Sequence, residues 1–124
     1  AVNLIAPARF IRAFEALLKA SDAGRAVFTT SGVGSRRAKA YWAAYGASKA
    51  GLDNLVMAWA EELEGSTVRA NLVNPGTVRT RMRAKAAPGE DPNSLPHPDE
   101  IAPAFVSLCL PSETRTGEIV DAQA

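Results

Sequence analysis

The sequence predicts an α/β fold, a parallel sheet covered by helices. Two observations carry this reading. Residues 3–20 and 43–64 repeat apolar side chains at helical spacing, whereas "RAVFTTS" at 25–31 and "VRANLVNPG" at 68–76 are short runs rich in residues that favour strands. The order along the chain is helix, strand, helix, strand, loop, helix, strand, and such alternation places parallel strands between helices.

Each element has its own local reason. In "NLIAPARFIRAFEALLKA", Phe10, Ile11, Phe14, Leu17 and Leu18 fall on one face, expected to be buried. Pro7 is tolerated only near the start of that helix or at a kink. "SDAGR" ends it, with Gly24 expected to supply the stop. Strand 25–31 is followed by a basic, glycine-containing loop, "GVGSRRAKAYW". In helix 43–64, Leu52, Leu55, Val56, Trp59 and Leu63 share a face, and Gly65 is the expected stop. Strand 68–76 ends at a Pro-Gly turn. Residues 77–98 carry Pro88, Pro92, Pro96 and Pro98 and are expected to form an irregular, mobile surface loop or lid. Residues 98–110 are expected to be a short helix capped by Asp99, and "GEIVDA" at 117–122 a last strand.

Composition narrows the function classes. A chain of 124 residues, 47% hydrophobic, suits one compact domain. Fourteen basic residues against 13 acidic leave a formal charge of +1, which is no footprint for nucleic acid or an anionic membrane. No apolar run is long enough to span a bilayer. A single cysteine, Cys109, forms no internal disulfide and fits a reducing cytoplasm; among apolar neighbours it is expected to be a buried, inert thiol. "AVNLIAPARF" has neither the pattern of a signal peptide nor an initiator methionine, so a chain processed, trimmed or cut from something longer is expected.

The chemistry concentrates in "YGASKAGL". Tyr45 and Lys49 stand four apart, on one helical face with Cβ atoms roughly 6 Å apart. A tyrosine hydroxyl ordinarily ionises near pH 10; bringing one to neutrality takes roughly 4 kcal/mol. An ammonium about 5 Å away supplies about 3 kcal/mol towards phenolate at an effective dielectric near 20. The pair can therefore serve as a general acid/base, or be two ordinary surface residues. Context bears on the choice. Ser31 lies at the carboxyl end of the first strand and "NPGTVRT" at the end of the second, the edge where active groups of such sheets gather.

Four motifs, "VNL" at 2–4, "GRAVFTTSGVG" at 24–34, "YGASKAGL" at 45–52 and "VRANLVNPGTVRT" at 68–80, occur in an order and spacing that resemble the short-chain dehydrogenase/reductase family. The resemblance runs through nearly the whole chain. It implies the C-terminal half of a Rossmann-like doubly wound parallel sheet, about three strands with flanking helices. It implies a catalytic tetrad: Tyr45 as acid or base, Lys49 favouring its phenolate and holding the nicotinamide ribose, Ser31 orienting the substrate oxygen, and Asn3 holding a relay water. Pro75, Gly76, Val78 and Thr80 would line the nicotinamide pocket beside Tyr45 and Lys49. The implied reaction interconverts an alcohol and a carbonyl by hydride transfer with NAD or NADP, the choice not being readable. Homo-oligomers through helices 3–20 and 43–64 are also implied.

The departures matter equally. No T-G-x-x-x-G-x-G turn occurs in the 124 residues, nor the Asn-Asn-Ala-Gly segment that precedes "VNL" in the family, so the dinucleotide-binding half is expected to be absent and strand 25–31 to be an open sheet edge. "DAQA" stands where the family carries Asp-Gly-Gly. Individual residues keep second readings: Asn3 as a helix N-cap, Thr80 as a cap of the following segment, Tyr41 and Trp42 as pocket walls or packing residues. Arg79, Arg81, Arg83 and Lys85 are expected to be a solvated face, and His97 an exposed loop residue; no metal site is expected. A second class of function is a non-catalytic interaction module that pairs with a full-length homologue. A third reading is an unrelated α/β domain; the family reading expects Tyr45 and Lys49 to point towards Ser31 and fails if they face opposite sides.

Overall fold

Three parallel strands in the order β1-β2-β3 form the sheet of the computed structural model, which describes residues 1–123. The elements run α1 (Ile5–Ala20), β1 (Arg25–Thr29), α2 (Ala43–Glu62), β2 (Arg69–Asn74), α3 (Arg81–Ala86), a 3₁₀ turn (Pro92–Ser94), α4 (Pro98–Cys109) and β3 (Ile119–Asp121). Registers are Phe28 opposite Leu72 and Val73 opposite Val120.

The alternating side chains of β2 divide the core between two layers. Ala70 and Leu72 join Leu52, Val56 and Trp59 of α2 and its C-cap Leu63, with Ile11 of α1. Asn71 and Val73 are equally buried on the other face, the side on which α4 contributes the buried Ile101 and Leu108. A fully buried amide at Asn71 needs partners, and it has them: Nδ2 donates to the Arg115 carbonyl at 2.8 Å and Oδ1 accepts from Glu118 N–H at 3.1 Å. This pairing, with Gly117 N–H donating to the Ala70 carbonyl at 2.7 Å, lays the chain alongside β2 just before β3 begins. Gly117 has φ +71°, a conformation that favours glycine.

The α2 stripe is buried as expected, except that Leu55 is only half-buried, and Gly65 has φ +84° just beyond the helix. Pro7 lies in the first turn of α1, where proline is tolerated. The expected buried face of α1 is not realised. Ile11 is buried and Leu18 half-buried, but Phe10, Phe14 and Leu17 are 58%, 49% and 67% exposed. β1 is an edge of the sheet among the described residues, so no further strand lies there for those side chains to cover. Gly24 also acts differently from expectation. The C-cap of α1 is Ser21 in extended conformation, and a Cβ at Gly24 would stand 2.5 Å from the Leu18 carbonyl oxygen. Glycine is required there by close approach rather than by a left-handed turn.

The 77–98 segment is more ordered than a plain loop. Thr80 Oγ1 accepts from Arg83 N–H at 3.2 Å and caps α3. Arg79 donates to the carbonyls of Pro92 and Leu95, and Arg83 pairs with Glu90 at 2.7 Å. These two members of the basic run are thus bracing residues rather than a solvated face. His97, not Asp99, caps α4: its Nδ1 accepts from Asp99 N–H at 3.2 Å while Glu100 accepts from His97 N–H at 2.6 Å, a capping box. Cys109, expected to be buried, is exposed at the end of α4. Among the described residues no helix is long and apolar enough to cross a membrane.

Replacing Gly24 with alanine is expected to cost about 1–3 kcal/mol in urea unfolding, with an unchanged m-value, because the new methyl group collides with backbone.

Candidate active site

The carboxyl edge of β1 and β2 opens into a cleft of about 1440 Å³. Thr30 extends β1 by one bond, its N–H donating to the Val73 carbonyl at 2.8 Å, and Ser31 then leaves the sheet. Ser31 Oγ accepts from Val33 N–H at 3.2 Å, which leaves its own O–H free to donate towards the cleft it lines.

One buried carboxylate organises this edge. Asp53, 1% exposed, accepts from Thr30 Oγ1, from Ser35 Oγ at 2.6 Å and from Ser35 N–H at 3.3 Å. It therefore anchors the chain on both sides of Ser31. A Cβ at Gly34 would approach its Oδ2 to 3.3 Å and the Lys49 Cβ to 3.2 Å, so the loop lies directly against α2. Sequence reading overlooked Asp53. A signal was present: residues 45, 49 and 53 form one i, i+4 row on the helix.

Tyr45 lies in the first turn of α2 and lines the cleft with Ser31. Among the described residues its hydroxyl has no hydrogen-bond partner, and its ring meets Trp42 edge-on at 5.4 Å. One turn on, Lys49 Nζ donates to the Thr29 carbonyl at 3.2 Å and stands 6.0 Å from the Tyr45 ring centroid. Its ammonium is thus placed at the end of β1, beside the tyrosine and not in the cleft lining. The residues face Ser31's edge, the arrangement an unrelated domain would not require. Asn3 lies elsewhere. Its Nδ2 donates to Ser48 Oγ at 3.1 Å, and Ser48 Oγ donates to the Tyr45 carbonyl at 2.7 Å. It does not cap α1, whose N-cap is Leu4, so the capping reading of Asn3 is excluded.

Opposite, Pro75, Gly76, Val78 and Thr80 all line the cleft. Asn74 Oδ1 accepts from Gly76 N–H at 3.1 Å, and Gly76 has φ +72°. Gln123 closes this turn. Its Nε2 donates to the carbonyls of Pro75 at 2.7 Å and Thr77 at 3.0 Å, and a Cβ at Gly76 would stand 2.6 Å from that nitrogen. Asp121 accepts two bonds from Arg36, at 2.9 and 2.6 Å, and one from Asn74 at 2.9 Å, joining β3, β2 and the 32–42 loop. Arg36, first, and Asn74 hold the Asp121 carboxyl below its ordinary value of 3.8. Trp42 and Tyr41 both line the cleft; Tyr41 is fully exposed with φ 68°.

A parallel sheet with a cleft at the carboxyl ends of its strands is the architecture of the α/β proteins that bind ligands at that edge. Sequence comparison places the chain within it. The short chain dehydrogenase profile matches residues 1–91, and the chain belongs to that family. It is 42% identical over 123 residues to the oxidoreductase YciK of Escherichia coli K12, covering 98% of this chain and 48% of that protein. A short chain dehydrogenase from Salmonella enterica serovar Typhi superposes with a TM-score of 0.92 at 40% identity, covering 99% of this chain and 51% of the other. One from E. coli CFT073, solved in complex with NADPH, superposes at 0.91 with 41% identity and the same coverage. The chain thus spans about half the length of the relatives it matches.

Two outcomes test the geometry. Asp53→Ala is expected to lose about 2–3 kcal/mol in chemical denaturation, since it strands two hydroxyls and an amide, and to speed amide exchange at Val33 and Ser35. The depressed Asp121 carboxyl contributes stability in full above its unfolded value of 3.8, and loses it as pH falls through the lower folded value. Carbon NMR titration should show Asp121 returning towards 3.8 in Arg36→Ala.

Proposed function

We propose that this chain carries the catalytic half of an NAD(P)-dependent oxidoreductase that interconverts an alcohol and a carbonyl. The observation that carries the reading is the convergence of Tyr45, Ser31 and the Pro75–Thr80 segment on one cleft, with the Lys49 ammonium behind Tyr45. The NADPH bound by a structural relative supports the cofactor class.

The residues present fit the nicotinamide end of such a cofactor. Thr80 Oγ1 accepts a backbone N–H, leaving its O–H to donate to a carboxamide, and the Gly76 turn exposes backbone at the cleft. Lys49 would hold the ribose, with Tyr45 and Lys49 bordering it. When bound, the nicotinamide supplies or accepts the hydride. The chain's own part is to position and to move a proton. Ser31 O–H donates to the substrate oxygen and orients it. Tyr45 O–H gives a proton to that oxygen in reduction and takes it back in oxidation, and the neighbouring ammonium favours the phenolate so formed. Asn3, through Ser48, steadies the turn of α2 that carries Tyr45, and its free Oδ1 is available to a relay water.

These 124 residues contain no T-G-x-x-x-G-x-G turn, so the isolated chain is expected to bind NADH and NADPH more weakly than micromolar; micromolar binding by titration would sink that part of the reading. In a polypeptide carrying both halves, Tyr45→Phe should lower kcat about 10²–10⁴-fold. A second reading has its own support. The exposed Phe10, Phe14 and Leu17 suit pairing with another copy or a full-length homologue through α1 and α2, in a cytoplasmic assembly. A biological effect that survives Tyr45→Phe would favour that interaction role over catalysis.

A further inference from the structure

The cleft is apolar in its walls, and cations outnumber anions among the charged residues that line it. Trp42, Met82, Ile101, Phe105 and Val106 supply much of the wall. The charged residues that line it are Arg36, Arg37, Lys39, Arg83 and Asp121. Arg36 is committed to Asp121 through two bonds, and Arg83 to Glu90 through two more. Arg37 and Lys39 remain. Among the described residues neither has a carboxylate within ion-pair distance, and both are exposed.

Their loop is shaped rather than loose. The Arg37 carbonyl accepts from Gly34 N–H at 2.9 Å, and Gly34 packs on Asp53 and Lys49. Lys39 Nζ stands 4.0 Å over the Trp42 ring, and Trp42 meets Tyr45. A cation resting on an aromatic face keeps its charge available to an anion. The Trp42 ring therefore lies between the Lys39 ammonium and the Tyr45 ring.

We propose that the cleft selects a substrate with an apolar body and a terminal anionic group, a carboxylate or phosphate. The anion sits on Arg37 and Lys39, the body lies against Trp42, Met82 and Phe105, and the carbonyl or alcohol reaches Tyr45 and Ser31. Exposed charges in water select weakly, and apolar walls alone do not discriminate among chain ends; combined in one cleft they do both. The placement of the reacting end rests on the proposed role of Tyr45, whereas the anion preference does not.

The test uses the ¹⁵N-labelled 124-residue chain without cofactor, following the Trp42 indole N–H. The probes are 4-phenylbutyrate, 4-phenylbutanol and inorganic pyrophosphate. Phenylbutyrate is expected to bind about tenfold more tightly than phenylbutanol, and the double variant Arg37→Ala/Lys39→Ala to abolish that difference while leaving phenylbutanol unaffected. Equal affinity for acid and alcohol, an unchanged preference in the double variant, or no binding of either would overturn the proposal. So would pyrophosphate binding as tightly as phenylbutyrate, which would assign the cations to a cofactor's phosphates. Acid preference here, together with full activity of Tyr45→Phe in a polypeptide carrying both halves, would refute the catalytic reading and leave this one standing.

Discussion

The Asp53 carboxylate is the constraint on which the site's geometry depends. It is buried on α2, yet its acceptor oxygens are filled by Thr30 and Ser35, residues of the strand end and the following loop. Ser31 therefore has little freedom: Thr30 is held by both Asp53 and Val73, and Val33 is buried two residues on. Because Tyr45 and Lys49 occupy the same i, i+4 row as Asp53, the same bonds set their height against the sheet. A buried carboxylate is tolerated only when its oxygens are satisfied, so the helix and the loop must dock in one register.

The second half of the edge is built by the chain's last strand. Asn71 holds the approach to β3, Asp121 joins Arg36 and Asn74, and Gln123 bonds the Pro75 and Thr77 carbonyls. The cleft is thus bounded by polar contacts that cross long sequence distances, between apolar layers that make them geometrically reproducible. Arg25 does comparable work at the opposite end, its guanidinium donating to carbonyls of Gly24, Thr67, Leu110, Pro111 and Glu113. Against this well-paired frame, the uncovered aromatic side of α1, beside the edge strand β1, is one place where the fold leaves apolar surface unmatched. In relatives about twice as long, the same fold region occurs within a larger chain.

The strands, the three longer helices and the sense of the sheet were legible in the sequence, since period and residue type act locally. Within two residues, the strand at 25–31, the helix at 43–64 and the strand at 68–76 occupy the expected places. The cleft's two walls were legible for a related reason: Ser31, Tyr45 and the Pro75–Thr80 segment lie at element ends, where parallel topology must bring them to one edge. What escaped was the choice of side-chain partners, both near and far in sequence. Nothing local in "PHPDE" distinguishes His97 from Asp99 as the cap, and nothing in the 77–98 prolines announces α3, whose helix depends on Thr80 and on the Arg83–Glu90 pair.

Sequence alone determined the kind of element at each position and the family to which four ordered motifs point, because backbone preference and motif spacing are properties of neighbouring residues. Tertiary structure decided which apolar faces are covered, and so left Phe10, Phe14, Leu17 and Cys109 exposed. It also decided that Asn3 bonds Ser48 rather than capping a helix, that Lys49 reaches the Thr29 carbonyl, and that among the described residues Arg37 and Lys39 are the cleft cations without an acidic partner. Burial and charge pairing depend on what lies across space, and residues 36 and 121, or 53 and 30, become neighbours only once the sheet has formed.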